Sequence, residues 1–320
     1  MPLPHIAPPR FLRITQVMVV LVVLNVVSGA AVRLTDSGLG CPDWPTCSHT
    51  RLTPPLSFHP VVEFTNRMVV VVLCVAAALT LVAAVRRAPR RRDLVGLSAG
   101  LVGGIVAEAV LGAAVVYSKL NAYVVMCHFL VGMALLTVAV VLALRAGRAA
   151  PGGPPVRMVS PLTVRAVRVV LVLLALAIAA GTATTGAGPH AGGKGAKRVP
   201  VPLADMARLH SGIVLVVVAL TLATLALLAR QGAPIRVLDR ARVLLVAMLL
   251  QGAVGYTQYF THLPPLLVGI HVFGATVVWS AMVWFTDGLT RHGAEAPVPG
   301  PVPAGAPGAV PAPVPAPAPR

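Results

Sequence analysis

Eight apolar segments, separated by short polar ones, constrain the fold of this 320-residue chain more than any other feature. Each approaches or exceeds the roughly 20 residues that a helix needs to cross the hydrocarbon layer of a membrane. Inside that layer only helices and closed barrels satisfy the hydrogen bonds of the backbone. The sequence therefore predicts an all-α, polytopic membrane protein with eight transmembrane helices. The apolar segments are 14–33, 64–85, 94–117, 123–144, 165–187, 208–229, 241–260 and 265–286.

Composition and charge placement agree with a membrane protein. Only 11% of the residues are charged, against about 25% in soluble domains. The net charge of +17 would suit nucleic acid, but the basic residues cluster after the second, fourth and sixth apolar segments, as in cytoplasmic loops. We therefore expect a multi-pass protein of the cell membrane with both termini in the cytoplasm, and a lipid bilayer rather than nucleic acid as partner. The clusters are Arg86, Arg87, Arg90, Arg91 and Arg92; Arg145, Arg148, Arg157, Arg165 and Arg168; and Arg230, Arg236, Arg240 and Arg242.

The two ends of the chain lie outside the apolar segments. Residues 1–13, with Arg10 and Arg13, are predicted to form a cytoplasmic N-terminus. The first apolar segment that follows them is longer than the apolar part of a cleaved signal peptide. Residues 289–320 consist mostly of Pro, Ala, Val and Gly, so we expect a disordered tail with a polyproline II tendency.

The two halves of the chain align with each other. Residues 120–128 lie over 263–271 at an offset of 143, and each of these segments ends in histidine. Further pairs at this or the next offset are Glu108 with Gln251, Gly112 with Gly255, and Asn66 with His210. Each half contains an even number of apolar segments, so both would insert in the same orientation.

This alignment predicts two pseudo-repeated four-helix bundles. The N-terminal half covers 14–146 and the C-terminal half covers 164–288, with a cytoplasmic linker at 147–163 between them.

Two histidines of the C-terminal half lie inside apolar segments, where polar groups are costly and usually functional. His210 and His271 each stand one to two turns from the outer end of their segment. Imidazoles at equal depth on neighbouring helices are a typical pair of axial ligands for a haem iron. The alternative is two histidines that only form hydrogen bonds between packed helices. The spacing leaves both interpretations open.

The N-terminal half differs at the corresponding positions. His128 matches the later histidine of the C-terminal half, but Asn66 occupies the position of the earlier one. His59 and Glu63 precede Asn66 at helical spacing and share a face with it. This pattern predicts a more open pocket that contains a carboxylate. An interfacial ion pair between Glu63 and Arg67 is the alternative.

Two of the four cysteines fall in the first outward segment. Cys41 and Cys47 stand in SGLGCPDWPTC, residues 37–47, where an oxidising compartment favours a disulfide. A redox-active pair is the alternative. Cys74 and Cys127 lie in apolar segments and are interpreted as packing residues.

The motifs VRLTDSGLGCPDWPTC (32–47) and VEFTNR (62–67) resemble the haem A synthase family, and the likeness extends over about 14–286. The resemblance implies eight helices in two similar halves. It also implies oxidation of a methyl group of haem O to the formyl group of haem A, for aa3-type cytochrome oxidases. The partners so implied are a haem O synthase, the cytochrome oxidase assembly pathway and an electron acceptor of unknown identity; a homo-oligomer is compatible with the sequence.

The same resemblance assigns roles to residues of the two halves. It implies a haem b cofactor with iron ligands His210 and His271, and haem O as substrate in the N-terminal half. Glu63 matches the catalytic glutamate of the family, and His128 matches one of two substrate histidines. The other falls on Asn66, so a water molecule or His59 would complete the coordination of the substrate iron.

Arg67 completes the expected substrate-binding set. The rival prediction is a membrane cytochrome b-like electron carrier without methyl oxidation. Glu63 and the Cys41–Cys47 segment favour the synthase, because a carrier needs neither.

Overall fold

The computed structural model describes residues 5–48, 50, 53–148, 155–193 and 195–291. Within them the chain forms eight α-helices and one pair of two-residue strands. The elements are α1 (Pro8–Leu34), α2 (Phe58–Arg86), α3 (Arg92–Tyr117), α4 (Ala122–Ala146), β1 (Val156–Arg157), α5 (Pro161–Ala187), α6 (Leu203–Arg230), α7 (Ile235–Phe260), α8 (Pro265–Asp287) and β2 (Thr290–Arg291).

The helix boundaries follow local sequence signals. Prolines at the first helical position begin α1, α5 and α8, where the missing N–H needs no partner. Asn121 accepts a hydrogen bond from the Tyr123 N–H at the start of α4, and Ser160 accepts one from the Thr163 N–H at the start of α5. These caps explain why the helices extend beyond the apolar segments.

The all-α, polytopic character is confirmed. Among the described residues, seven helices are long and apolar enough to cross a membrane. The remaining helix, α7, has charged residues in its first two turns, which lower its mean hydropathy. These are Arg236, Asp239, Arg240 and Arg242.

All eight helices nevertheless run between the same two ends of the bundle. At one end, which we call the arginine-rich end, Arg91 at the start of α3 donates to the Arg145 carbonyl near the end of α4. Arg240 near the start of α7 donates to the Trp284 carbonyl near the end of α8. At the opposite end, the loop between α7 and α8 contacts the loop after α5 through the Leu263 carbonyl and the His190 imidazole, 2.8 Å apart.

Each half has its own apolar core. Large, fully buried side chains of the N-terminal half include Phe11, Leu101 and Leu136, while those of the C-terminal half include Leu228 and Met282. α8 packs against α1 and α4 and so joins the halves.

One hydrogen bond connects the halves at the middle of the bundle. Trp279 on α8 packs against both cores, and its indole N–H donates to the Thr137 hydroxyl of α4 over 2.7 Å. This polar pair is satisfied inside an apolar interface, as buried polar groups require.

The loop between α5 and α6 lies across the N-terminal half at the end opposite the arginine-rich end. Its Gly192 carbonyl accepts from the Gly38 N–H at 2.9 Å, and its Lys197 carbonyl accepts from the Ala122 N–H at 3.1 Å. Arg33, at the end of α1, donates to the carbonyls of His190 and Thr185 at 2.6 and 2.8 Å. The halves therefore interlock through main-chain contacts that no sequence motif predicted.

Three further features differ from or extend the sequence-based expectations. β1 of the linker pairs antiparallel with β2, directly after α8, so residues 290 and 291 are paired. The rest of the predicted tail, 292–320, lies outside the described residues. Cys74 and Cys127 are free and exposed on their helices, so their interpretation as packing residues is wrong.

Candidate functional site

The two histidines of the C-terminal half face each other. His210 on α6 and His271 on α8 have ring centres 6.3 Å apart, and their ring planes are inclined by 80°. A metal–imidazole bond of about 2 Å on each side, together with the distance from nitrogen to ring centre, separates two axial ligands by about 6 Å between ring centres. The observed distance therefore leaves room for one iron between the imidazoles.

The nitrogen atoms of this pair also suit a metal. His210 Nδ1 lies 2.8 Å from the Ala177 carbonyl, so Nδ1 donates a hydrogen bond and Nε2 keeps its lone pair. This arrangement is typical of metal-binding histidines. His271 Nδ1 is buried beside Gly255 of α7, 3.5 Å from its Cβ position, and has no hydrogen-bond partner among the described residues.

Glycines on the neighbouring helices provide the space for both rings. A Cβ atom at Gly181 on α5 would lie 3.1 Å from His210 Cε1, and one at Gly255 on α7 would lie 3.0 Å from His271 Cε1. Both distances are shorter than ordinary van der Waals contact. Two imidazoles with free space between them fit a haem, because the porphyrin supplies the other four ligands of the iron.

A carboxylate lies beside the histidine of the N-terminal half. Glu108 on α3 places Oε2 2.9 Å from Nδ1 of His128 on α4. The two groups approach closely without the alignment of a hydrogen bond, and Nδ1 of His128 and Oε1 of Glu108 are buried with no hydrogen-bond partner. Gly112 on α3 lies next to this ring: a Cβ atom at Gly112 would be 3.8 Å from His128 Cε1. The carboxylate is therefore positioned to orient the imidazole.

Glu108 was missing from the sequence-predicted site, although the internal alignment had placed it opposite Gln251. The two positions act differently on their histidines. The Gln251 amide donates to the main-chain carbonyl of His271 at 2.7 Å, whereas Glu108 approaches the imidazole of His128. The pairing of an acidic residue with an amide in the alignment was the signal that could have identified it.

Asn66 and His59 contact α1 and the loop that follows it. The Asn66 amide donates to the Ser28 hydroxyl at 2.8 Å. His59 Nδ1 lies 3.1 Å from the Ser37 hydroxyl. Each side chain thus has a partner within the protein, and neither is paired with His128.

Glu63 and Arg67 form the ion pair that the sequence left as one alternative. Glu63 is buried, with 5% of its surface exposed. Its Oε1 accepts from the Arg67 guanidinium at 2.5 Å, and its Oε2 accepts from the Cys41 N–H at 2.9 Å. Buried charges are stable only when they are paired and hydrogen-bonded in this way.

Arg67 also anchors the loop of residues 41–47, which we call the cysteine loop. Its guanidinium donates to the carbonyls of Asp43 and Thr46 at 2.7 and 2.6 Å. Cys41 and Cys47 form a disulfide, as the sequence predicted, and both cysteines are buried. The loop is therefore fixed to α2 in the N-terminal half, at the end opposite the arginine-rich end.

Glu63 and His128 stand at equal depth on opposite sides of that half. Glu63 is five residues inside the start of α2, and His128 is six residues inside the start of α4. Both helices pack against α1 and α3, so α2 and α4 are diagonal in the four-helix arrangement. Glu108 therefore lies beside His128, whereas Glu63 lies near the same end of this half on the diagonal helix.

Comparisons with known proteins agree in part of the chain. Residues 12–192 match the COX15-CtaA family, described as cytochrome oxidase assembly protein. The heme A synthase of Geobacillus kaustophilus strain HTA426 is 36% identical over 130 residues, which are 39% of this chain and 40% of that protein. The heme A synthase of Shewanella oneidensis is 34% identical over 156 residues, 42% and 44% of the two chains. The matching segments thus span less than half the length of these relatives.

Proposed function

The chain belongs to the COX15-CtaA family, and from this membership we propose that it is a haem A synthase that oxidises a methyl group of haem O to the formyl group of haem A. One observation supports this most directly. A pair of facing histidines in one half accompanies, in the other half, a histidine beside the buried carboxylate of Glu108 and a second buried carboxylate, Glu63, near the same end. Two unequal sites suit an enzyme with one resident cofactor and one substrate.

We also propose the eight-span topology, with two pseudo-repeated halves and both termini in the cytoplasm of the cell. α7 would be the eighth span, since it runs from the arginine-rich end to the opposite end. The matching environments of His128 and His271, each beside a glycine of the preceding helix, support the repeat. The arginine-rich end would face the cytoplasm.

His210 and His271 would be the iron ligands of the haem b cofactor. When bound, this group supplies one-electron redox chemistry. The protein contributes the orientation of its ligands, since the Ala177 carbonyl fixes the tautomer of His210. Gly181 and Gly255 keep the space beside the rings free.

His128 would hold the iron of the substrate haem O through Nε2. Glu108 would act as a positioning residue, because its carboxylate next to Nδ1 favours the tautomer in which Nε2 carries the lone pair. Asn66 stands at the position of the other substrate histidine, and its amide donates to the Ser28 hydroxyl. The iron would therefore have no second imidazole ligand from this position. Such an asymmetric site suits a substrate that must enter and leave.

Glu63 would be the catalytic carboxylate. Each two-electron oxidation at the methyl carbon releases protons and builds up positive charge, and a buried carboxylate stabilises such charge strongly. The hydrogen bonds from Arg67 and Cys41 fix the position of Glu63. Arg67 and the disulfide loop would cover the substrate site.

The proposed reaction also places the protein between two others. A haem O synthase would supply the substrate, and assembly of an aa3-type cytochrome oxidase would consume the product. The family description, cytochrome oxidase assembly protein, supports the second of these.

The function is tested by haem extraction and chromatography from cells that express this chain together with a haem O synthase. Haem A should appear only when the chain is present. Bound haem b without any haem A, in the presence of a working electron acceptor, would support the electron carrier instead. Absence of bound haem would contradict both functions.

Replacement of Glu108 by leucine should weaken the binding of haem O, because His128 loses the carboxylate beside Nδ1. Loss of an outer-shell partner typically lowers metal affinity by about 10- to 100-fold, and we expect a decrease in this range. The measurement is a titration of purified protein with haem O, followed by the optical spectrum. Glu108→Gln should retain part of the affinity.

Gln251→Leu is the matched control for this variant. Gln251 contacts the main chain of His271, so its removal should leave haem O binding in the N-terminal half unchanged. Equal haem O affinity of Glu108→Leu and the unmodified chain would contradict the positioning role of Glu108.

Replacement of Gly255 by alanine should lower the retention of haem b. The new Cβ atom would lie 3.0 Å from His271 Cε1, and overpacking costs about 1–3 kcal/mol. This corresponds to about 5- to 150-fold weaker binding, measurable by haem content after purification. Gly252→Ala on the same helix is the control, because no atom lies within 4 Å of its Cβ position. Similar haem contents of the two variants would contradict the role of Gly255.

A further inference from the structure

A groove at the arginine-rich end lies between the two halves. Its volume is about 760 Å³, and it is open rather than enclosed. α1 and α4 of the N-terminal half line one wall, and α8 lines the other, with Arg240 of α7 at its end. No residue proposed for the haem sites lines it.

The groove changes in character along its length. The part of the groove at the arginine-rich end contains Arg148, Arg240 and Asp287. Ten residues earlier on α8, about 15 Å at the helical rise, Val277 lines the groove opposite Val140 of α4. One end is therefore charged and the rest of the wall is mostly apolar, with Gln16 and Ser280 as its polar side chains. This pattern complements an amphiphilic molecule.

The charges at the polar end do not cancel. Arg148 and Arg240 both form ion pairs with Asp287, which lies 3.5 Å from the Arg240 guanidinium and closer to that of Arg148. Two cations against one anion leave one positive charge. Both guanidiniums remain partly exposed, with 21% and 23% of their side-chain surfaces accessible, so donors remain available to a further anion.

We propose that this groove binds one anionic phospholipid. Its phosphate would accept hydrogen bonds from Arg148 and Arg240, and one acyl chain would lie along the apolar wall between α1, α4 and α8. Basic pockets between transmembrane helices on the cytoplasmic side favour such headgroups. The planar guanidinium of arginine can donate two parallel hydrogen bonds to a phosphate, which the ammonium group of lysine cannot. The lipid would bridge the two halves next to the contact of Arg148 with Asp287.

The experiment measures thermal unfolding and native mass spectra of the purified, delipidated full-length chain in detergent. Phosphatidylglycerol should raise the unfolding temperature and remain bound as one copy per chain. Phosphatidylcholine should bind about fivefold more weakly, as expected for one net charge at this position. Inorganic phosphate should leave the unfolding temperature unchanged, because it lacks the acyl chain.

Two variants distinguish the contribution of the charged end to lipid binding from that of the apolar wall. Arg240→Gln should reduce the preference for phosphatidylglycerol over phosphatidylcholine. Ser280→Phe fills the groove but keeps both arginines, so it should weaken the binding of both lipids. Arg242→Gln is the control, because Arg242 pairs with Asp239 on an exposed face of the same helix and does not line the groove.

Several results would overturn the proposal. Equal binding of the two lipids by the unmodified chain would show that the groove does not select an anionic headgroup. Stabilisation by inorganic phosphate alone would show an anion site without a lipid. Unchanged lipid binding in Ser280→Phe would place the lipid elsewhere, and this variant decides the matter even where Arg240→Gln fails to fold.

Discussion

Purified His210→Ala protein should contain almost no haem b. The His210 imidazole faces His271 with 6.3 Å between the ring centres, and its removal would leave one of the two proposed iron ligands. Removal of an outer-shell partner already costs about 10- to 100-fold in metal affinity, so loss of the ligand itself should exceed this. We expect the low-spin haem spectrum to disappear and haem A formation to stop.

The neighbouring residue provides the control for this experiment. Ser211 is part of the same helix, and its hydroxyl donates to the Arg208 carbonyl rather than to the site. Ser211→Ala should retain the haem and the activity. His210→Asn would give the C-terminal half the residue that the N-terminal half has at Asn66, and should behave as His210→Ala. A full low-spin spectrum in either His210 variant would show that the histidines only pack.

Replacement of Glu63 by glutamine should lower haem A formation by at least about a hundredfold, the lower range of a general acid–base contribution. Glutamine has nearly the same shape and can still accept from the Cys41 N–H, but it lacks the charge that stabilises positive charge at the substrate. The haem b content should remain normal, since His210 and His271 stand in the other half. The measurement compares haem A and haem b in the same extract.

Asp93→Asn tests whether the loss of any carboxylate that is paired with an arginine has this effect. Asp93 pairs with Arg91 at the arginine-rich end, at 2.7 Å, far from the cysteine loop. The variant should make normal amounts of haem A. Normal haem A in Glu63→Gln cells would contradict the catalytic role, and joint loss of haem A and haem b would indicate a structural role for the Glu63–Arg67 pair.

The helices and the facing histidines could be predicted from the sequence because both depend on short-range regularities. Hydropathy determines which segments cross a membrane, and helical spacing determines the depth of a residue along its helix. His210 and His271 follow from these two facts, since equal depth on neighbouring helices permits contact. The disulfide between Cys41 and Cys47 likewise depends on residues six positions apart.

The sequence could not predict which partner each polar side chain takes. Asn66 and His59 were expected beside the substrate, but the structure pairs them with Ser28 and Ser37. For Glu63 the sequence left open a pocket carboxylate or an ion pair with Arg67, and in the structure both of its oxygens accept hydrogen bonds, one of them from Arg67. These outcomes depend on the rotation of helices about their axes, which hydropathy leaves undetermined when several faces are apolar.

The sequence by itself determined the class of fold, the number of long helices, the depth of the intramembrane histidines and the disulfide. Only the tertiary structure decided that Glu108 lies beside His128, that the loop after α5 closes over the other half, and that a groove with one charged end is lined by α1, α4 and α8. The physical reason is the range of the interactions. Hydrophobic transfer and backbone hydrogen bonding act within one helix, whereas these contacts join residues from different helices and are set by how the helices pack.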